Sequence, residues 1–193
     1  MGVSEDLTSA GISVRDQYLG AAQVRALLEC LPKRQARGEF AAARVGAAAT
    51  LRQDVGVRGD LTCWLAEPLF PAERELLLGF EQLRMQLNRD LTLGLFELDL
   101  HYAWYPPGAG YARHVDQPHG TADRRLSLIL YLNENWQAGA GGELEIFDAH
   151  GGCRQIEPLA GRLVCFLSAG REHAVRPAYR DRFSITGWFR ARA

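Results

Sequence analysis

From Gly94 onward the chain breaks into short runs of aromatic and β-branched residues, a texture that limits the folds open to it. The runs cover residues 96–105, 111–116, 126–133, 143–147, 162–168 and 183–189, separated by Gly, Pro and Asn clusters. Alternation over segments of this length matches half-buried strands, and the clusters between them match turns. Residues 44–50 and 61–65 can add strands ahead of them. Two stretches follow a different period. Val24, Leu27, Leu28 and Leu31 recur at helical spacing around residues 21–30, with Pro32 and Gly38 as stop signals. Over residues 72–91, after Pro71, Leu76, Leu77, Phe80, Leu83, Leu87 and Leu91 form an apolar stripe suited to bracing a sheet. The pattern predicts a mainly β fold with flanking helices (α+β).

A chain of 193 residues with 47% apolar content can bury one sizeable core but has no room for a second full domain. We therefore expect one domain over 1–193, with an N-terminal helical region at 1–43 and the core at 44–190. The 22 basic and 23 acidic residues leave a formal charge of -1, which supplies no field for nucleic acid. Cys30, Cys63, Cys153 and Cys165 are widely spaced without a CxxC pair, which argues against a zinc ribbon or a disulfide framework. No segment approaches the roughly 18 uninterrupted apolar residues of a membrane span, and residues 1–6 lack a leader pattern. These features predict a cytoplasmic protein with reduced thiols and no membrane partner.

Within this framework, residues 111–116 read Tyr-Ala-Arg-His-Val-Asp. Successive side chains of a strand point to opposite faces, so His114 and Asp116 project the same way. His173 would have to join them from another strand. Two imidazoles and one carboxylate on one side of a metal form the ligand set of non-haem Fe(II) oxygenases, with three positions left open. Such pairs also arise by chance, and a strand histidine is more often a surface or hydrogen-bonded core residue. His119, between Pro118 and Gly120, reads as a solvated turn residue, and His101 and His150 have no recognisable partners, so all three are taken as non-ligands.

Arg182 opens the alternating run 182–189 and is expected to be partly buried. Its planar fork requires an anion, since an unpaired buried charge costs several kcal/mol. A cosubstrate carboxylate or one of the chain's own acids would meet that need. By strand parity, Thr186 and Trp188 share the face of Arg182.

Taken together in order and spacing, Arg58-Gly59-Asp60, Tyr105-Pro106, residues 111–116, Leu130-Tyr131-Leu132-Asn133, Gly141-Gly142-Glu143-Leu144, residues 173–179 and Arg182 resemble the 2-oxoglutarate and Fe(II)-dependent prolyl 4-hydroxylases. The likeness is to the oxygen-sensing, HIF-type branch and its bacterial relatives, and it covers residues 44–190. It implies a double-stranded β-helix, or jelly roll, where alternation alone would allow other β-sandwiches. It also implies His114, Asp116 and His173 as metal ligands and catalytic centre. Arg182 would hold the distal carboxylate of 2-oxoglutarate, assisted by the Tyr131 hydroxyl. Thr186 would help hold the cosubstrate, Trp188 would wall the pocket, and Tyr105 would lie near the iron.

Arg58 and Asp60 fall where those enzymes carry a finger loop that closes over a peptide, with Asp60 pairing with Arg124 or Arg125. The implied reaction consumes O2 and 2-oxoglutarate, releases succinate and hydroxylates a prolyl residue of a protein or peptide. Elongation factor Tu is a candidate substrate and ascorbate an auxiliary reductant. An oxygen-sensing role would follow from the cosubstrate. The same site could instead serve a free amino acid or another small metabolite, and a non-catalytic jelly-roll binding module is a third reading.

Overall fold

The computed structural model describes residues 2–44, 54, 56–117, 123–148 and 150–192. Helices α1 (Val3–Ala10), α2 (Ala21–Leu28), α3 (Leu31–Ala36) and α4 (Pro71–Leu91) cover one face of a sheet. That sheet contains β1 (Ile12–Arg15), β2 (Ala41–Ala42), β3 (Leu61–Trp64), β4 (Leu95–Tyr105), β6 (Arg124–Tyr131), β9 (Leu163–Leu167) and β11 (Arg182–Ala191). Its order is β1-β9-β6-β11-β4-β3-β2, and every pairing is antiparallel. A smaller antiparallel sheet, ordered β5-β10-β7-β8, is built from β5 (Tyr111–His114), β7 (Leu144–Phe147), β8 (Cys153–Ile156) and β10 (His173–Val175). The two sheets enclose one side-chain layer, and this is the jelly-roll arrangement that the sequence resemblance implies.

The apolar stripe of α4 explains the outer layer. Leu76, Phe80, Leu83 and Leu87 are buried against Leu100, Tyr102, Leu126, Leu128 and Ile185. Removing each such side chain from water contributes about 2 kcal/mol. The helix starts at Pro71, where Glu73 accepts a hydrogen bond from the Phe70 N–H (2.8 Å), and stops at Thr92 in a left-handed conformation. Asn88 then turns the chain into β4 through two bonds with Leu95, donating to its carbonyl and accepting from its N–H, both at 2.7 Å.

The second layer lies between the sheets and contains Ala103, Tyr105, Ile129, Tyr131, Leu144, Ile146, Val164, Phe166 and Val175. β11 serves both layers. Ile185 and Phe189 face the helices, while Arg182, Ser184, Thr186 and Trp188 share the opposite, intersheet face. At Gly187 the strands run so close that a Cβ would stand 1.8 Å from the Asp99 carbonyl, so only glycine fits.

Several expected boundaries shift. Pro32 does not stop the helical region but occupies the first turn of α3, where its missing N–H costs nothing. The N-terminal region expected to be helical also contributes β1, which pairs with β9 as an edge strand of the large sheet. The strand expected over 111–116 ends at His114, placing Asp116 in the bend that follows. β8 was not foreseen. The strand expected at 44–50 falls, beyond Arg44, outside the described residues, as does His119.

Candidate active site

A cavity of about 600 Å³ opens between the sheets. Its walls carry His114, Asp116, His173, Arg182, Tyr105, Thr186, Trp188 and Arg58. The structure thus brings together most of the site residues expected from the sequence, with Tyr131 and Asp60 directly behind this wall.

His114 and His173 face each other in the register of β5 and β10, their rings 4.1 Å apart. Their potential ligand atoms, with those of Asp116, all lie within 4.8 Å of one another. His114 Nε2 is 3.7 Å from Asp116 Oδ1, and His173 Nε2 is 3.6 Å from Asp116 Oδ2. Each Nδ1 points at a backbone carbonyl: Ala112 at 2.8 Å for His114 and Arg171 at 3.1 Å for His173. A carbonyl only accepts, so each Nδ1 carries the proton and each Nε2 turns a lone pair toward the carboxylate. Three electron-pair donors converging without a proton between them fit a divalent cation of the borderline class, Fe(II) included.

The electrostatics agree with that donor set. Burial pushes the Asp116 carboxyl up, but the two imidazoles and the Ser127 hydroxyl outweigh it and hold the carboxyl well below its usual range. His173 is lowered by its burial, against the pull of Asp116. Both groups therefore stand in their ligating forms at neutral pH.

Ser127 was not anticipated. It donates to Asp116 Oδ2 at 2.6 Å and is bonded to Ser168 at 2.9 Å. Because Asp116 lies beyond the end of its strand, this bond fixes the direction of its carboxylate. Ser127→Ala should weaken metal binding by roughly tenfold or more, the usual effect of losing a partner that orients a ligand. Equilibrium titration with Fe(II) or Co(II) tests this, and an unchanged affinity would dismiss the role.

Arg182, 1% exposed, occupies another part of the cavity wall. Its Nε donates to the Gly142 carbonyl at 2.9 Å, and its guanidinium carbon lies 4.8 Å from the Tyr105 ring centre and 5.0 Å from that of Tyr131. Gly142 has a positive φ of 68°, and a Cβ there would meet Arg182 Cδ at 3.0 Å. Among the described residues no carboxylate pairs with Arg182. The Tyr131 hydroxyl, fully buried, has no hydrogen-bond partner among them either, and burial raises its pKa. A buried cation beside an unsatisfied hydroxyl matches the distal carboxylate of a dicarboxylic cosubstrate. Ser184, also unforeseen, shares the face of Arg182 and bonds to Thr186 at 3.1 Å.

The expected partner of Asp60 is corrected. Arg58 itself forms the pair, through Nε at 2.6 Å and Nη2 at 2.9 Å, and lies over the Tyr111 ring. Asp60 is too deeply buried, at 2% exposure, for a solvated turn, and a bidentate guanidinium two residues away satisfies it locally. Arg124 lies 3.8 Å over the Trp188 ring and donates to the Asp116 carbonyl.

His101, taken from the sequence as a residue without partners, lines the cavity at 1% exposure. Burial lowers its pKa to about 4. The unfolded chain accepts this proton near 6.5, whereas the folded chain refuses it until about 4. Between these values the unfolded state binds more protons, so stability rises with pH. For the metal-free protein we expect a loss of about 1.5 kcal/mol from pH 6.5 to 5 through His101, with His173 adding in the same direction. Urea unfolding at the two pH values measures the slope, and His101→Leu should flatten it. An equal slope in the variant would refute the assignment.

An intersheet cavity bearing a two-histidine, one-carboxylate cluster and a buried arginine defines the class of double-stranded β-helix proteins built for a mononuclear metal and an acidic cosubstrate. Residues 100–190 match the family model of the 2OG-Fe(II) oxygenase superfamily. A prolyl-4-hydroxylase from Pseudomonas putida superimposes with a TM-score of 0.89 at 41% identity, covering 99% of this chain and 98% of that one. The chain belongs to the prolyl hydroxylase family of 2-oxoglutarate and Fe(II)-dependent oxygenases.

A Trichoplax adhaerens prolyl hydroxylase, solved in complex with a hypoxia inducible factor oxygen degradation domain peptide fragment, gives a TM-score of 0.86 at 27% identity, covering 97% of this chain and 87% of that one. Egl nine homolog 1 from Homo sapiens is 36% identical over 143 residues, covering 69% of this chain and 33% of that protein. Prolyl hydroxylase EGLN3 from Mus musculus is 43% identical over 91 residues, covering 45% and 38%. The chain spans between about a third and two fifths of the length of these curated relatives. Family membership implies Fe(II) and 2-oxoglutarate, and the donor set and a buried guanidinium without a carboxylate partner among the described residues fit both. No helix among the described residues is long and apolar enough to cross a membrane.

Proposed function

We propose that this chain hydroxylates a prolyl residue of a protein or peptide, consuming O2 and 2-oxoglutarate and releasing succinate. The observation that carries the reading is Arg182, a buried cation without a carboxylate partner among the described residues, in the same cavity as the His114, Asp116 and His173 cluster. When bound, Fe(II) with 2-oxoglutarate supplies the oxidising power that side chains lack.

The chain's residues do the rest. His114, His173 and Asp116 would hold the metal. Arg182 and the Tyr131 hydroxyl grip the distal carboxylate, and Thr186 flanks it. Tyr105 and Trp188 wall the cavity and exclude water, while Arg58, locked to Asp60, lines the substrate side. Trp64, 52% exposed at the cavity rim, suits an apolar prolyl ring. The peptide-bound Trichoplax relative supports a peptide substrate over a free metabolite.

We take elongation factor Tu as the candidate substrate and ascorbate as an auxiliary reductant. The cytoplasm is the setting that four unbridged cysteines suit, and oxygen sensing is the role that an O2 cosubstrate allows. The test is incubation with Fe(II), 2-oxoglutarate, ascorbate and elongation factor Tu or its proline-containing peptides. The expected result is succinate together with a one-oxygen mass gain localised to proline as 4-hydroxyproline. Succinate formed with a free amino acid, and no protein oxidation, would replace the peptide reading.

A further inference from the structure

Buried polar groups nearly always find hydrogen-bond partners, so groups that lack them mark where something else binds. Among the described residues, the orphans near the cavity fall in two places. The Tyr131 hydroxyl lies beside Arg182, at the end proposed for the cosubstrate. The others are both ring nitrogens of His101 and Nε1 of Trp188. His101 projects from β4 opposite Thr186, on the same intersheet face as Ala103 and Tyr105.

The proposed cosubstrate does not account for this second group. On the reading above, Arg182 and Tyr131 would take one end of 2-oxoglutarate and the metal site the other. Two tryptophans hold the imidazole in place: the Trp64 ring centre is 4.8 Å away and that of Trp188 5.7 Å away. Arg124, the nearby cation, is already engaged with the Trp188 ring and the Asp116 carbonyl. Burial keeps His101 neutral, with Arg58 and Arg124 acting in the same sense and Asp60 and Asp116 opposing. It therefore presents one N–H donor and one acceptor.

A prolyl residue has no N–H, so the polar group that every prolyl peptide brings into such a pocket is a carbonyl, which needs a donor. We infer that His101 is a substrate-binding residue whose imidazole N–H donates to a backbone carbonyl of the peptide beside the target proline, with Trp64 and Trp188 flanking the contact. The inference rests on the peptide reading above and adds a residue that selects for the peptide rather than for the cosubstrate.

The test uses the full chain loaded with Mn(II) and 2-oxoglutarate, which binds without turning over, titrated calorimetrically with single-proline peptides of elongation factor Tu. His101→Leu should weaken peptide binding about tenfold, the usual effect of one lost hydrogen bond. His101→Gln, which retains an N–H donor, should recover most of it. Affinity for 2-oxoglutarate should stay unchanged in both variants, which also reports that they are folded. If wild-type and His101→Leu chains bind the peptide equally, or if 2-oxoglutarate binding falls as much as peptide binding, the role of His101 is overturned. If the wild-type chain binds and hydroxylates none of these peptides, the peptide reading fails, and the inference with it.

Discussion

Asp116→Ala is expected to abolish turnover while leaving the protein folded. The carboxylate is the only anionic member of the cluster, and it approaches both imidazoles from beyond the end of β5. Without it, two neutral nitrogens remain, and metal affinity should fall further than the roughly 10- to 100-fold that follows loss of an orienting partner. The metal-free protein should stay folded but lose some stability, because the imidazoles and the Ser127 hydroxyl more than offset the burial of the carboxylate. The measurements are succinate release, metal titration and urea unfolding of the apoprotein. Full activity in this variant would exclude Asp116 as a ligand.

Arg182→Leu should show opposite signs in two measurements. The guanidinium is buried among Tyr105, Tyr131, Gly142 and Ser184, with dipoles and ring faces but no carboxylate among the described residues. Removing it should leave metal-free stability unchanged or higher, because a shorter apolar side chain replaces a buried charge that no carboxylate among the described residues compensates. Binding of 2-oxoglutarate should weaken by about 2–5 kcal/mol, or ~30-fold and more, as when one member of a buried ion pair is removed. Arg182→Lys should rescue it only partly, since an ammonium cannot form the two parallel bonds of the planar fork. A loss of stability with unchanged 2-oxoglutarate affinity would make Arg182 a structural residue.

The parts legible in the sequence are those encoded locally. The leucine stripe of α4 and the alternation of β4, β6 and β11 each give their own period. Parity along β11 placed Arg182, Thr186 and Trp188 on one face and would have delivered Ser184 too, had the same count been applied to a serine. The unread parts depend on distant pairing. β1 spans four residues and joins the sheet only through β9, far along the chain. Ser127 meets Asp116 because β6 passes beneath the bend after β5, and nothing near either residue records that. His101 carried no local signal, since its significance lies in the bonds it does not make. For Asp60 the sequence suggested a distant partner, whereas a bidentate contact with Arg58 was available two residues away.

The residues proposed to hold the metal belong to the small sheet and its outgoing bend, whereas Arg182 belongs to the large one. A diacid held at both ends would therefore clamp the two sheets together, and the reach from the metal site to the guanidinium would depend on how thickly the side chains between them pack. Trimming Ile146, which packs between the sheets without lining the cavity, would change that spacing and so retune which chain length of oxoacid fits.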